Sequence, residues 1–406
     1  MNQENKKRIL LIMPYGSVGG MERLALSFYN FYMKKGFYVK ALKFIKLEND
    51  IINFKEGELH LSDKDFSFMS KKDRLLFYFK APRAIKAIVK KHNITHSIAF
   101  GDMANLFSSL SFSKEYKIGS IHALKSAEFQ HKTMFHRLTK LGYKSSYQNL
   151  NKLVCISKAI KQDLKQNCGY SFSNMEVIYN PHDVDAIHNL SIEPITEQKE
   201  VDIFSKKTIL FLGRLSVQKS PWHFIKAFHK VLENLPDINL VIIGDGDPSV
   251  SNYVNALIDK LNIKNKVFLL GRKSNPYKYL KASDVLVLSS YYEGTPNVIV
   301  ESIAVGTPIV SSYCTKGIIE LMSKQDHQES NNNIETESGI VTPNLFKGVL
   351  KVPERITTTL LDEETKLAEA LIKVLGDDNY IKILNNNKEA LLDKFDINKV
   401  AISYLK

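Results

Sequence analysis

Cysteine and tryptophan are scarce in this chain of 406 residues, which has three cysteines and one tryptophan. The cysteines, Cys155, Cys168 and Cys314, are too few and too scattered for a disulfide framework or a zinc site. Long hydrophobic runs are also missing. The longest early run, residues 9–13, stops at Pro14, whereas a transmembrane helix needs about 18 apolar residues and a signal peptide needs a longer run with a cleavage site. We therefore expect a cytoplasmic protein.

Basic residues exceed acidic ones by 13, and this excess is confined to the first half of the chain. Residues 1–180 carry 30 Lys and Arg against 14 Asp and Glu, whereas the remainder carries 26 against 29. Hydrophobic residues make up 44% of the sequence, which excludes a mainly disordered chain. At about 150 residues per domain, the length predicts two or three domains.

The basic excess is densest in residues 71–91, where apolar residues 75–79 lie between the charges. Its basic residues are Lys71, Lys72, Arg74, Lys80, Arg83, Lys86, Lys90 and Lys91. Such a stretch can dock on anionic lipid, each basic residue contributing about 1 kcal/mol. It could instead contact nucleic-acid phosphates or form a solvated helix face whose aromatic residues belong to the core. We favour the membrane and expect no nucleic-acid partner, because no nucleic-acid-binding motif accompanies the stretch.

Short apolar runs alternate with helical stretches, which predicts βαβ units and parallel sheets. The predicted strands are 8–13, 38–45, 95–100, 117–121, 152–156 and 176–179, then 208–213, 239–244, 266–270, 284–289 and 307–311. We predict helices from about residue 21 to 35 and from about residue 362 onwards. Polar residues 323–338 are expected to form a mobile surface loop.

This alternation predicts an α/β fold with two doubly wound, Rossmann-like domains that face each other across a cleft. Residues 1–185 and 208–385 are the predicted domains, with 186–207 as the linker. Residues 386–406 are expected to form a C-terminal helix that returns toward the N-terminal domain. Doubly wound domains bind their ligands beyond the carboxyl ends of the strands.

The strongest local pattern places Glu293 and Glu301 eight positions apart, after a predicted strand. The turn at residues 294–296 should start a helix near Asn297. The free N–H groups and positive dipole end of a helix N-terminus suit a phosphate. Both carboxylates can then accept hydrogen bonds from the hydroxyls of one ligand, although either alone reads more simply as an ordinary surface or strand-end acid.

Two further segments follow predicted strands. Arg214 and Lys219 come after Gly213, and a guanidinium with an ammonium suits a pyrophosphate. In the first half, glycines at 16, 19 and 20 precede Glu22, and glycine lets backbone approach a phosphate closely. This segment is neither a Walker loop nor a Rossmann fingerprint.

Taken together, these segments resemble the retaining, nucleotide-sugar-dependent glycosyltransferases of the GT-B fold, in particular the family 4 group. The E-x7-E pattern of that group matches Glu293 and Glu301, and its G-R-L-x-x-x-K segment matches Gly213, Arg214 and Lys219. Further matches include residues 177–181, 243–247, 270–272 and 304–308. The sequence departs from the family at Ser220, where glycine is usual, and at Pro181, where glycine is frequent.

The resemblance implies a role for each matched residue. Arg214 and Lys219 would hold the donor diphosphate and stabilise the leaving group, so we expect neither a catalytic metal nor a cofactor. Glu301 would accept from the ribose hydroxyls and Glu293 would contact the transferred sugar. The remaining implied donor-binding residues are Gly19, Gly20, Gly213, Arg272, Pro296, Asn297 and Val298. His122, which follows a predicted strand, would bind the donor sugar or help position the acceptor.

The resulting hypothesis is a hexosyl- or N-acetylhexosaminyltransferase that uses a nucleoside-diphosphate sugar, with UDP as the expected nucleotide, and retains anomeric configuration. The acceptor would be a lipid-linked glycan in capsule, O-antigen or lipopolysaccharide synthesis, and the protein would lie on the inner face of the cell membrane. The alternatives are a nucleotide-sugar epimerase, a catalytically silent nucleotide-sugar-binding homologue, and a nucleic-acid-binding protein that uses only the basic stretch.

Overall fold

The computed structural model describes residues 7–16, 20–47, 50, 52–129 and 133–406. The strands are β1 (Arg8–Met13), β2 (Tyr38–Ile45), β3 (Glu58–Ser62), β4 (His96–Phe100), β5 (Tyr116–Ile121), β6 (Lys152–Cys155), β7 (Met175–Val177), β8 (Lys207–Leu212), β9 (Ile238–Ile243), β10 (Val267–Gly271), β11 (Val285–Leu288), β12 (Ile309–Ser312), β13 (Ile334–Thr336) and β14 (Gly339–Thr342). The predicted strands are confirmed to within about two residues at either end; β3, β13 and β14 were not predicted.

The α-helices occupy most of the connections between the strands. They are α1 (Gly20–Lys34), α2 (Lys71–Lys91), α3 (Asp102–Ser109), α4 (Lys125–Glu128), α5 (Met134–Lys144), α6 (Lys158–Gln166), α7 (Val184–Ser191), α8 (Gln198–Phe204), α9 (Pro221–Leu232), α10 (Pro248–Lys260), α11 (Tyr277–Lys281), α12 (Asn297–Val305), α13 (Lys316–Met322), α14 (Asp362–Gly376), α15 (Asn379–Leu392) and α16 (Ile397–Tyr404). Within the described ranges, no helix is long and apolar enough to cross a membrane.

The chain forms two compact units, one running to Pro181 and taking up Ile397–Lys406, the other made of His182–Asp396. The first unit holds a seven-stranded sheet in the order β3-β2-β1-β4-β5-β6-β7, and its paired strands are all parallel. The second holds a sheet in the order β10-β9-β8-β11-β12-β14-β13, parallel except for the β13–β14 pair. In both sheets the order reverses beside the first strand, which is the doubly wound pattern.

Hydrophobic clusters fill the helix–sheet layers and explain the apolar runs. Strand β9 is buried along its whole length, as expected for a parallel strand covered on both faces. In the first unit, α16 packs on α1: the Tyr32 hydroxyl donates to the Ala401 carbonyl (2.7 Å), and the rings of Phe28 and Tyr404 lie 4.8 Å apart. These contacts anchor the last helix of the chain to the first unit.

The predicted linker 186–207 is structured and belongs to the second unit. It contains the greater part of α7, all of α8 and the first residue of β8. Glu200 of α8 is buried, pairs with Lys273 (2.5 Å) and accepts from the Tyr279 hydroxyl (2.7 Å). Because a buried carboxylate needs such partners, these contacts hold α8 within the second unit, while most other polar residues of the segment are exposed.

Two other boundaries differ from the sequence analysis. Residue 385, the predicted end of the second domain, falls inside α15. The polar stretch 323–338, predicted as a mobile loop, contains β13, and Ser323 donates to Glu337 (2.8 Å). The strand forms because it pairs with β14, a contact that local composition does not reveal.

Candidate active site

The loop after β8 brings two predicted cations to the carboxyl edge of the second sheet. The N–H of Gly213 donates to the Ile243 carbonyl at the end of β9 (3.0 Å). Gly244 has a φ of +142°, and a Cβ on it would lie 2.0 Å from the Gly213 carbonyl oxygen. This approach, which only glycine permits, fixes the start of the loop. The side chain of Arg214 is exposed just beyond it.

Ser220 ends the same loop in a left-handed conformation, with φ +38° and ψ +60°. This backbone costs an L-residue about 1–2 kcal/mol, which accounts for the glycine usual in the family that the sequence resembles. The Ser220 hydroxyl donates to the Ser289 carbonyl (2.5 Å), and the Ser289 hydroxyl donates back to the Ser220 carbonyl (3.0 Å). These bonds tie the loop, and Lys219 within it, to the end of β11.

Lys219 and Glu293 form an ion pair, with 2.5 Å between Nζ and Oε1. Ser290 donates to the same carboxylate oxygen (2.8 Å), and the amide of Gln218 donates to the other (3.4 Å). Only 8% of Glu293 is exposed. Lys219 and Glu293 belong to separate motifs, 74 positions apart in the chain. The fold therefore brings the two motifs into direct contact at the sheet edge.

Helix α12 begins at Asn297, the position expected from the sequence, and its N-cap residue Pro296 provides no side-chain cap. The free N–H groups and the positive dipole end of such a terminus attract an anion. The preceding turn is held close to the start of α13, since a Cβ on Gly317 would lie 2.3 Å from the Gly294 carbonyl oxygen. Glu301, half-buried, lies one turn into the helix.

Arg272 lies at the same edge, after β10, and pairs with Asp245 after β9 (3.0 Å). Both side chains are largely exposed, so this pair is weak in water. The carboxyl edge of the second sheet thus gathers Arg214, Lys219, Arg272 and an uncapped helix terminus, an arrangement that can bind a diphosphate.

His122 follows β5 at the carboxyl edge of the first sheet. Its Nε2 lies 2.8 Å from the Ser120 hydroxyl oxygen, and that hydroxyl donates its own proton to the Ala99 carbonyl (2.9 Å). The bonding pattern therefore assigns the imidazole proton to Nε2 and leaves the lone pair on Nδ1. Burial, followed by the charge of Lys125, lowers the pKa of His122 to about 3, so the ring is neutral at neutral pH.

Lys125, three residues later, is a buried cation that the sequence analysis missed. It pairs with Asp102 (2.9 Å) and Glu128 (2.6 Å). Burial alone would lower the pKa of Lys125, but the two carboxylates outweigh it and raise that pKa. The signal available in the sequence was a lysine three residues after a strand-end histidine.

Only part of the predicted glycine segment of the first unit, residues 16–20, lies within the described residues. Gly19 lies outside the described residues, and Gly20 is the first residue of α1. Glu22 in the first turn of α1 is buried, and burial followed by the charge of Asp50 raises its pKa. Beneath Gly16, a buried Lys43 pairs with Asp50 (2.9 Å).

A buried network behind Glu293 was also not predicted. His223 contacts Glu364 (2.6 Å) through Nδ1 and the Tyr291 hydroxyl (2.9 Å) through Nε2, while Trp222 donates to the same hydroxyl (3.2 Å). Tyr291 precedes Glu293 by two residues, so this network positions the segment that carries the carboxylate. Its members come from α9, α14 and the loop after β11, a grouping that only the fold reveals.

Within the described ranges, no group of three or more His, Cys, Asp or Glu side chains is arranged to hold a metal ion. The expectation of a metal-free reaction stays a prediction, because the arrangement of protein side chains does not test it.

Residues 195–335 match the family described as Glycosyl transferases group 1, and residues 18–186 match Glycosyltransferase Family 4. The fold is similar to that of the Anabaena protein HepE in complex with UDP and glucose, with a TM-score of 0.68 at 18% sequence identity over 98% of each chain. The chain is a family 4 glycosyltransferase of the GT-B fold. The two sheets described above are its two Rossmann-like units.

This glycosyltransferase is 30% identical over 277 residues to an uncharacterized glycosyltransferase of Methanocaldococcus jannaschii, a match that spans 66% of this chain and 65% of that relative. It is 29% identical over 250 residues to the N-acetylgalactosamine-N,N'-diacetylbacillosaminyl-diphospho-undecaprenol 4-alpha-N-acetylgalactosaminyltransferase of Campylobacter jejuni, over 62% of this chain and 58% of the relative. Both matches therefore span less than two thirds of the relative's own length.

Proposed function

We propose that this glycosyltransferase moves a hexose or N-acetylhexosamine from a nucleoside-diphosphate sugar, UDP being the expected nucleotide, onto a lipid-linked glycan. The Campylobacter jejuni relative, whose name states an undecaprenol diphosphate acceptor, supports this acceptor class. Assembly of a surface polysaccharide such as capsule, O-antigen or lipopolysaccharide would use this reaction. N-acetylhexosamine is favoured over hexose.

The observation that carries the proposal is the Lys219–Glu293 pair beside the uncapped terminus of α12. In this pair the ammonium and the carboxylate neutralise each other. A diphosphate would interact with Lys219, Arg214 and the helix terminus, while Glu293 would accept from hydroxyls of the transferred sugar. The ion pair thus keeps Lys219 in place for the diphosphate and Glu293 in place for the adjacent sugar of one donor molecule.

The proposed step follows from the charge that develops as the donor breaks. The bond from the anomeric carbon to the diphosphate oxygen cleaves, and the diphosphate leaves with its electron pair. Arg214 and Lys219 stabilise this developing negative charge, the type of term that supplies much of the rate in enzymes. We assign them the role that a divalent metal could otherwise fill, so the reaction should tolerate a chelator.

Retention of configuration requires the acceptor to attack from the face that the diphosphate leaves. The acceptor oxygen forms the new bond to the anomeric carbon, and its proton passes to the departing phosphate oxygen. Neutral His122 cannot serve as a cation at pH 7, but its free Nδ1 lone pair can accept from a sugar hydroxyl. We therefore propose His122 as a sugar-binding residue and not as the general acid.

The basic helix α2 supports docking on an anionic membrane surface. Its N-terminus is capped by Ser70, which accepts from the N–H of Asp73 (3.2 Å). The basic side chains named in the sequence analysis are exposed along it. A peripheral position on the inner face of the cell membrane would bring the enzyme to a lipid-linked acceptor.

The experiment is hydrolysis of a panel of UDP- and GDP-sugars by the purified protein in the presence of EDTA. We expect slow release of one nucleotide, lost in Arg214→Ala and Glu293→Ala but not in Arg355→Ala, which removes an exposed arginine outside the site. Product analysis without acceptor distinguishes hydrolysis from epimerisation. If no nucleotide sugar is cleaved and UDP does not bind, the proposed function is wrong.

A further inference from the structure

A groove of about 610 Å³ opens on the first unit between α2, the C-terminal end of α3 and α5. Its floor reaches the hydrophobic core, since Leu106 and Phe107 line it and are buried. Its mouth is formed by exposed apolar side chains, among them Phe79 (59% exposed) and Leu141 (62%). The groove thus joins the solvent-exposed surface to the core through apolar contacts.

One residue of the mouth adopts an unusual backbone conformation. Phe112 lines the groove, is 65% exposed and has a φ of +48°. A left-handed conformation is rare for an aromatic residue and costs free energy. Strain of this kind persists at binding sites more often than elsewhere. A large exposed ring held at this cost is consistent with a surface that a ligand covers.

The serine hydroxyls that line the groove already have partners within the protein. Ser145 donates to the Leu141 carbonyl (2.7 Å), and Ser146 shares a 2.8 Å bond with Ser109. Ser111 donates to a carbonyl within its own turn (2.7 Å). A sugar or a nucleotide needs many hydrogen bonds when it is buried, and this lining supplies few. The lining suits a hydrocarbon chain.

Charge at the mouth restricts the occupant further. Among the described lining residues the charged ones are Arg83 and Lys86, both basic and both exposed. The Nη1 of Arg83 donates to the Phe79 carbonyl (2.8 Å), which places its guanidinium beside the apolar mouth. A guanidinium and an ammonium together suit a phosphate. The groove therefore combines an apolar floor with a cationic edge.

We propose that this groove binds the hydrocarbon chain of a single phosphate-bearing lipid, with the phosphate on Arg83 and Lys86. The inference rests on the proposed function, in which the acceptor carries a lipid chain and a phosphate. It differs from general docking on a membrane surface, because only side chains that line the groove take part. Leu76 on α2 and Met134 on α5 are also exposed apolar residues (50% and 70%) but do not line it.

This arrangement gives matched variants on the same two helices. Phe79→Gln and Leu141→Gln alter the groove, whereas Leu76→Gln and Met134→Gln alter the neighbouring surface. All four residues are at least half exposed, so the variants should fold, which thermal unfolding checks. The probe is farnesyl phosphate below the concentration at which it forms micelles, titrated into the full-length protein by calorimetry, with farnesol and inorganic phosphate as references.

We expect farnesyl phosphate to bind at one site, about tenfold more weakly in Phe79→Gln and in Leu141→Gln, since each change removes apolar contact. Leu76→Gln and Met134→Gln should bind as the unmodified protein does. Arg83→Gln should weaken the binding of farnesyl phosphate about tenfold and leave the binding of farnesol unchanged. Lys80→Gln, which lies outside the groove, should change the binding of neither ligand.

If all four apolar variants weaken farnesyl phosphate binding equally, the proposal is overturned, because the lipid then binds to the general apolar surface and not within the groove. Binding of farnesyl phosphate no tighter than that of inorganic phosphate would overturn it as well. Neither result depends on a nucleotide sugar. If the protein transfers sugar but does not bind farnesyl phosphate in the groove, the proposed function stands and the proposed lipid site is wrong. If it binds farnesyl phosphate there but transfers no sugar, only the lipid site stands.

Discussion

In the second unit, the side chains that follow the strands are charged and paired with each other, as in Lys219–Glu293 and Arg272–Asp245. In the first unit, the residue after β5 is the neutral His122, and the nearby cation Lys125 is neutralised by two carboxylates of its own. Two doubly wound sheets thus carry different chemistry at their carboxyl edges. The second is suited to an anionic group and the first to neutral hydroxyls.

Removal of a cation from the second sheet should have the largest effect. Lys219→Ala removes a charge from the proposed diphosphate site and leaves Glu293 buried without its ion-pair partner. We expect donor hydrolysis to fall about 10²–10³-fold, by comparison with loss of an oxyanion donor. Initial rates at saturating donor measure this, with Lys264→Ala as the control at an exposed lysine. A fall of less than fivefold would contradict the assigned role.

Binding of the protein to an anionic membrane should depend on the basic side chains of α2 in the first unit and not on those of the second unit. The triple variant Lys80→Gln, Lys90→Gln, Lys91→Gln removes three exposed charges from α2, each worth about 1 kcal/mol on an anionic surface. We expect binding to vesicles with 30% anionic lipid to weaken about 100-fold.

The control for the vesicle experiment is a triple glutamine variant at exposed lysines of the second unit, Lys199, Lys260 and Lys382. It removes the same net charge from the protein. If it weakens sedimentation with vesicles as much as the α2 variant does, total charge and not the helix α2 governs the binding.

The low pKa of His122 in the folded state should make the folded protein less stable in acid. Its pKa is about 3 in the folded state and about 6.5 in the unfolded chain. Between these values the unfolded state binds more protons, so stability is complete above pH 6.5 and is lost as the pH falls toward 3. His122→Asn should reduce the loss between pH 7 and pH 5 by about 2 kcal/mol. Denaturant unfolding at both pH values measures it, and an unchanged loss would contradict the assignment.

The smallest effect is expected from the network behind Glu293. Tyr291→Phe removes a hydroxyl that bonds to His223 and Trp222, which should lower the free energy of unfolding by about 1–2 kcal/mol. Tyr253→Phe is the matched control, since its hydroxyl bonds to an exposed carbonyl (3.2 Å). If both variants unfold at the same denaturant concentration, the network contributes nothing beyond an ordinary surface bond.

The sequence predicts the fold well where apolar runs are long. The runs that form β1, β9 and β11 are buried on both faces, so hydrophobicity alone locates them. Strand β3 is half-exposed at the edge of its sheet and β13 is polar, so neither gives a continuous signal. The segment 186–207 was misassigned because its acidic residues gave no indication that Glu200 pairs internally with Lys273.

The sequence predicts where the candidate site residues lie but not their contacts. Arg214, Lys219, Glu293 and Glu301 lie, as predicted, after a strand or at the start of a helix, and their roles in binding stay predictions. The direct pairing of Lys219 with Glu293 and the network through Tyr291 and His223 depend on residues about 70 or more positions apart. Such contacts arise from the packing of loops at the sheet edge, which local sequence does not determine.

We propose that Arg214, Lys219 and the terminus of α12 hold a diphosphate without a metal. Calorimetric titration of UDP in the presence of EDTA measures this binding in the unmodified protein, in Arg214→Ala and in the control Arg355→Ala. We predict one binding site, weakened about tenfold to 100-fold in Arg214→Ala and unchanged in Arg355→Ala. UDP binding that is equal in all three proteins, or that appears only when a divalent metal replaces EDTA, would contradict the claim.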